Sequence, residues 1–160
     1  MTHVLVLLVA LLIGVVAGLR ALTAPAVVAW AAALNWIDVG DKWSSWVGHP
    51  ITVTVLTILA LGELVTDQLP KTPSRKSPPQ FVARIIMGGF AGAVIGSAWH
   101  FTWSSLGAGV LGAVLGTLGG YAARKRLVAA NGGRDLPIAL LEDGVAVLGG
   151  IAVAWWASVL

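Results

Sequence analysis

Four carboxylates lie within stretches that otherwise consist of apolar residues. Glu63 and Asp67 occur in one stretch, and Glu142 and Asp143 occur in another. A charge at the centre of a bilayer costs about 2.5–3.5 kcal/mol on insertion scales, so such a residue usually faces a bundle interior or a water-filled cavity and has a partner. These four residues therefore predict a buried polar site in a membrane protein.

The spacing of the acids indicates what such a site could do. Glu63 and Asp67 are four residues apart and share one helix face. Glu142 follows Pro137, a residue favoured at helix starts, so it lies near the same end of its span as Glu63. Two facing carboxylates share a proton or hold a hard cation such as Mg²⁺ or Ca²⁺. We expect Glu63 and Glu142 as central ion or metal ligands, with Asp67 and Asp143 at the mouth of the site.

The alternative is that these acids cap helix ends or reach towards water from the membrane interface, which fits Asp67 best because Leu69-Pro70 follows it closely. No cofactor is required by the sequence, and a divalent cation is the one candidate.

Arg20 is the basic residue that the pattern places deep in a span. It lies in the polar interruption Gly18–Pro25, where a helix can unwind and free its backbone groups, and Thr23 adds a hydroxyl there. One hypothesis is that Arg20 and Thr23 bind a ligand at a broken helix. The alternative is a structural ion pair between Arg20 and Glu63 or Glu142.

The loop after the second apolar segment is basic, hydroxyl-rich and stiffened by proline. Lys71, Arg75 and Lys76 in this loop could contact a phosphate or an anionic lipid headgroup. The alternative is an ordinary cytoplasmic loop whose positive charge only sets the topology.

The composition indicates a polytopic membrane protein with a single domain over residues 1–160. Of 160 residues 58% are hydrophobic and 11% are charged, whereas soluble domains carry about 25% charged residues. The pI of about 9.8 does not indicate nucleic acid, because the basic residues occur in short loops between apolar segments. The absence of cysteine excludes disulfides and thiolate sites. No enzyme motif is present, so enzyme activity is not required, although sparse carboxylates alone do not rule it out.

The chain is predicted to be all-α, a bundle of about five transmembrane helices whose first span is broken near Gly18–Pro25. The five predicted segments are Val4–Leu34, Ile51–Leu69, Phe81–Trp103, Ser105–Ala123 and Pro137–Val159. The basic loops after the second and fourth segments predict a cytoplasmic N-terminus and an external C-terminus. All eight tryptophans then form a belt at the outer interface: Trp30, Trp36, Trp43, Trp46, Trp99, Trp103, Trp155 and Trp156. The polar segment Asn35–Pro50 is expected to lie along that outer surface.

Glycines recur every four residues in two segments, at Gly88, Gly92 and Gly96 and at Gly112, Gly116 and Gly120. This spacing allows helix backbones to approach closely, either within one chain or across a homo-oligomer seam. We expect a homo-oligomer, because so few short helices hardly enclose a path. A weak similarity between Ala60–Glu63 and Ala139–Glu142 suggests an inverted repeat, although chance explains it about as well.

Three stretches resemble one family. They are Gly18–Pro25, Glu63–Arg75 and Leu136–Asp143, and together they resemble small bacterial integral membrane proteins grouped as domain-of-unknown-function family 4126. The resemblance implies a multi-pass protein of the bacterial inner membrane and assigns no catalytic residue. Glu-x-x-x-Asp is also loosely similar to acidic motifs of small cation exporters, but the fuller Glu-x-Gly-Asp-Lys pattern of those proteins is absent.

Two functions follow from these patterns. The leading hypothesis is a small transporter or channel for a cation or a cationic or zwitterionic solute, with Arg20 as counter-charge to the acids. The alternative is a non-transporting membrane scaffold or lipid-binding protein. Acids that line a water-filled cavity would favour transport, whereas acids closed in an ion pair with Arg20 would favour the scaffold. A lipid-modifying metalloenzyme is a weaker third hypothesis.

Overall fold

The computed structural model describes residues 1–69 and 76–160 and is helical throughout these ranges, without a strand. The helices are α1 (His3–Leu19), α2 (Thr23–Ala33), α3 (Pro50–Thr66), α4 (Pro78–Ser97), α5 (Thr102–Ala130) and α6 (Leu136–Val159), with a short 3₁₀ helix at Ser45–Gly48. Proline occupies the first turn of α3, α4 and α6, where its missing N–H costs no helical hydrogen bond.

Three helices form the core of the bundle through their glycines. A methyl group added to Gly14 of α1 would overlap the backbone of Gly109 in α5, and one added to Gly92 of α4 would overlap the backbone of Ser105. Both α1 and α4 therefore lie against α5 at backbone contact, which only small residues permit. This packing lies within one chain, and a homo-oligomer through the glycine-rich helices stays a prediction.

The first apolar segment is interrupted where the sequence predicts, but it is not one broken span. Helix α1 ends at Leu19 and α2 begins at Thr23. A methyl group on Gly150 would lie 3.4 Å from Val16 and 3.2 Å from Val27, so these two valines are at one level of the bundle. They are 11 residues apart and would differ by roughly 16 Å in a continuous helix. Thus α2 runs back beside α1, and residues 20–22 form a chain reversal.

Because of this reversal, both ends of the chain lie at the same end of the bundle. His3 hydrogen-bonds Ser104 at 3.0 Å and stacks on Phe101, at the start of α5. Helix α6 runs antiparallel to α1, because Asp143 pairs with Arg20 and Gly150 lies beside Val16. Trp155, near the end of α6, therefore lies at the same end as His3, which we call the tryptophan end. The predicted path, with the N-terminus on the opposite side from the C-terminus, is therefore wrong, since the interruption was interpreted as a kink rather than a turn.

Three helices in the described ranges, α4, α5 and α6, have the length and composition of membrane spans, while α1, α2 and α3 are apolar but shorter. The protein is thus a helical membrane protein, and the predicted count of about five spans is not confirmed. The segment between α2 and α3 has one apolar side that packs on the bundle, with Ile37, Val39 and Val47 buried, while Trp43 and Trp46 are each 50% exposed. Its position along the outer membrane surface stays a prediction. The inverted repeat stays a prediction.

Helix α3 is the most weakly attached element. It packs on α2 and on the 3₁₀ helix, and only Val53 and Ala60 of its residues are buried. Its position is therefore set largely by the polar contacts at its end, where Glu63 and Asp67 lie.

Candidate functional site

The chain reversal between α1 and α2 creates the polar site. The last carbonyl groups of α1 and the first N–H groups of α2 have no partners within their own helices. The reversal lies inside the bundle, because Arg20 is fully buried and Gly18 lies against Ala113 and Thr117 of α5. Backbone that is not helical is tolerated at membrane depth only where other protein groups or water satisfy it. The surrounding side chains must therefore supply donors and acceptors.

Arg84 satisfies the carbonyl end of α1. Its Nη1 donates to the carbonyl oxygens of Gly18 at 2.5 Å and Leu19 at 2.8 Å, and the hydroxyl of Thr117 donates to Gly18 at 3.3 Å. Arg84 is the seventh residue of α4 and only 2% exposed. A positive charge at the carboxyl end of a helix also interacts favourably with the helix dipole. The guanidinium group of Arg84 thus stabilises the end of α1.

Glu63 binds the backbone just before α2. One carboxylate oxygen accepts from the N–H of Ala21 and the other from the N–H of Leu22, each at 2.8 Å. The residue before α2, Leu22, has no side chain that could cap the helix. A carboxylate from α3 therefore fixes the entry into α2, and its negative charge lies near the positive end of the helix dipole.

Arg20 joins three helices within the reversal. Its Nη1 donates to Asp67 of α3 at 2.7 Å, and its Nε and Nη2 both lie 2.5 Å from one oxygen of Asp143 of α6. Glu142 lies 3.9 Å from Nη2. The second oxygen of Asp143 accepts from the amide of Gln68 at 2.7 Å. Arg20 thereby connects the start of α6 to the end of α3.

A second arginine engages Glu142. Arg124 of α5 donates to Glu142 at 3.3 Å and forms a bidentate pair with Asp135, at 2.9 and 2.7 Å. Glu142 is 8% exposed, whereas Asp135 lies at the surface. We name the connected set of Arg20, Arg84, Arg124, Glu63, Asp67, Glu142, Asp143 and Gln68 the ion network.

The structure brings together five of the residues that the sequence singles out: Arg20, Glu63, Asp67, Glu142 and Asp143. Thr23 is buried, but it lies outside the network, in the wall of a cavity described below. Lys71 and Arg75 fall outside the described residues. Lys76 lies 4.1 Å above the ring of Tyr121.

Two arginines of the network, Arg84 and Arg124, are not among the residues that the sequence singles out. A signal for Arg84 is present, because it lies within the predicted apolar segment Phe81–Trp103. Arg124 directly follows the predicted segment Ser105–Ala123, and the local pattern does not indicate that α5 continues to Ala130. Gln68 carried no signal beyond its position next to Asp67.

The chemistry of the network follows from how its charges are paired. Arg20 pairs with Asp67 and Asp143. Arg124 pairs with Glu142 and Asp135, and Arg84 lies 3.9 Å from Asp67. No group of three or more His, Cys, Asp or Glu side chains in these residues is arranged to hold a metal ion. Glu63 and Glu142 as joint ligands of a divalent cation stay a prediction.

Comparison with curated proteins and with solved structures gives no match. A family model, "Domain of unknown function (DUF4126)", matches residues 7–160 and so includes every residue of the ion network. The three stretches that suggested this resemblance contain the reversal, the end of α3 and the start of α6, which are the three elements joined by Arg20. The chain belongs to the DUF4126 family of proteins of unknown function.

Proposed function

We propose that this protein is a non-transporting membrane protein that binds anionic lipid, with the ion network acting as an internal structural lock. The observation that carries the proposal is that the acids expected to bind a solute are engaged by the protein itself. Glu63 uses both oxygens on backbone N–H groups, while Asp67 and Asp143 are paired with Arg20. Removing one partner of such a buried pair is costly, which suits a structural role.

A basic surface at the same end of the bundle supports the lipid-binding part of the proposal. Lys76, Lys125 and Arg126 surround a depression of about 480 Å³ whose floor includes Tyr121 and apolar residues of α5. A phosphate headgroup would meet three cations there, while its acyl chains continue along the apolar face of α5. Each Lys or Arg near an anionic membrane surface contributes about 1 kcal/mol. We further propose that this end faces the cytoplasm, following the positive-inside rule, with both chain ends outside.

The lipid proposal is tested by native mass spectrometry of the protein from nanodiscs that contain phosphatidylglycerol and phosphatidylcholine. Lys125→Gln and Arg126→Gln should each weaken phosphatidylglycerol binding about fivefold, the equivalent of about 1 kcal/mol. Arg134→Gln is the matched control, because Arg134 is exposed and does not line the depression. Equal loss in all three variants, or no loss in any, would contradict the proposal.

Transport remains the second candidate because of one observation: the ends of two helices meet inside the bundle, as they do around the binding sites of many transporters. In this case the ion network would be a closed gate, and Glu63 and Glu142 would alternate between protein and solute partners. Proteoliposome flux of Na⁺, Mg²⁺ and choline separates the two functions. Flux that exceeds the protein-free background and disappears in Glu63→Gln would favour transport. We expect background flux.

A further inference from the structure

A cavity of about 350 Å³ lies between α2, α3 and α6, next to the ion network. This volume is at the lower end of the range of ligand pockets, roughly 300–1,000 Å³. Its walls are mainly apolar and include Ala60, Leu64 and Val147. Exposed side chains at its rim, such as Leu61 and Ile151, show that it opens towards the face that contacts lipid. A molecule could therefore enter from the bilayer.

The polar groups of the cavity differ in whether they have a hydrogen-bond partner. Trp30 donates to the hydroxyl of Thr57 at 3.0 Å, and that hydroxyl donates to the carbonyl of Val53 at 2.7 Å. The hydroxyl of Thr23, which is 3% exposed, has no hydrogen-bond partner among the described residues. A buried polar group without a partner costs about 1–3 kcal/mol. This hydroxyl is a donor positioned for an acceptor that the described part of the chain does not supply.

The charges near Thr23 restrict the chemistry of that acceptor. The carboxylate of Glu63 binds the N–H groups of the two residues before Thr23, and Ala60 and Leu64, which flank Glu63 on α3, line the cavity. A second carboxylate or a phosphate here would be repelled by the carboxylate of Glu63. An uncharged carbonyl oxygen could accept from Thr23 without this repulsion.

We propose that this cavity binds a neutral lipid-soluble molecule, with an apolar body between α2, α3 and α6 and a carbonyl oxygen that accepts a hydrogen bond from Thr23. The site is separate from the basic depression on α5 and requires a ligand of different charge. Cavity walls provide the apolar contact, and the hydroxyl provides selection for a carbonyl group over a bare hydrocarbon.

The test uses a diazirine-tagged fatty acid methyl ester in phosphatidylcholine nanodiscs, with a diazirine-tagged alkane of the same length, which has no oxygen acceptor, as the second probe. After photolysis, the labelled residues are mapped by mass spectrometry. We expect ester labels on Ala60, Leu64 and Val147. Thr23→Val should reduce this labelling about fivefold to tenfold, as the loss of one hydrogen bond predicts, and should bring it to the level seen with the alkane.

Two further variants make the result decisive. Thr54→Val is the control, because Thr54 is an exposed threonine of α3 that does not line the cavity. Ala60→Leu should block labelling by filling the cavity while leaving Thr23 intact. Without ligand, Thr23→Val should melt at the same or a higher temperature, because it removes a hydroxyl that lacks a partner.

Labelling that is unchanged in Thr23→Val, equal for ester and alkane, or spread evenly over the lipid-facing helices would overturn the proposal, since the hydroxyl would then select no ligand. If Thr23→Val does not fold, the Ala60→Leu variant and the ester–alkane comparison decide the question on their own. Neither result affects the phosphatidylglycerol experiment, because that experiment measures binding at Lys125 and Arg126.

Discussion

Replacing Glu63 by glutamine tests whether this carboxylate holds α2 in place. In the native protein it accepts two hydrogen bonds of 2.8 Å, from the N–H groups of Ala21 and Leu22. Hydrogen bonds to a charged group are worth about 1.5–3 kcal/mol each. Glutamine retains one acceptor oxygen but presents an NH₂ group to the other N–H, so one bond is lost and the remaining one is no longer charge-assisted. We expect Glu63→Gln to lower the free energy of unfolding by about 2–4 kcal/mol.

The assay is unfolding of the micelle-solubilised protein by titration with SDS, followed by tryptophan fluorescence. Asp41→Asn is the matched control, since it also removes one carboxylate but from an exposed position paired with Lys42, and surface pairs contribute about 0–1 kcal/mol. A loss below about 0.5 kcal/mol for Glu63→Gln, within the range of ordinary surface substitutions, would refute the argument that Glu63 holds the start of α2 in place. Such a result would also reopen a solute-binding role for this residue.

The other predictions use the same assay. Arg20→Met should lower the free energy of unfolding by about 3–5 kcal/mol, because it leaves the carboxylates of Asp67 and Asp143 buried without their partner. The double variant Arg20→Met, Asp67→Asn should lose less stability than the sum of the two single variants, and strict additivity would show that the pair is not coupled. Arg84→Met removes both donors from the end of α1 and should cost at least about 2 kcal/mol; a neutral result would mean that water replaces them. Gly112→Ala should destabilise by about 1–3 kcal/mol, because its methyl group would overlap the backbone of Leu11 in α1. Gly107→Ala is the control on the same helix, because no atom lies near the added methyl group. It should be neutral or stabilising by up to about 1 kcal/mol. Equal effects of the two alanine substitutions on stability would contradict the close packing of α1 on α5.

Much of the fold was predictable because apolar length and helix boundaries are local properties of the sequence. The interruption at Gly18–Pro25 was visible, but its meaning was not, since a polar break of a few residues serves equally as a kink or as a turn. Pro25 held a clue: it is the third residue of α2, in the first turn where proline is favoured. It therefore indicated a new helix more than a bent one.

The site was predictable in its membership but not in its contacts. An intramembrane acid requires a partner, so Arg20 and the four carboxylates could be grouped from charge alone. Which oxygen binds which donor depends on tertiary packing. The contact of Glu63 with the backbone before α2 was beyond prediction, because the acceptor and the N–H groups are 41 and 42 residues apart, and the direction of α2 had first to be known.

The connection between Arg20 and Asp143 has a consequence for how the protein is made. These residues are 123 positions apart, so nearly the whole chain is synthesised before the first helical hairpin meets its last partner. Domains are generally built from the N-terminus during synthesis at about 5–20 residues per second, which gives an interval of about 6–25 s in which the buried arginine lacks α6. During that interval Asp67 is the partner already present for Arg20, and the pairing with Asp143 is completed only when α6 arrives. Chains truncated before α6 are therefore expected to be less stable than the full chain.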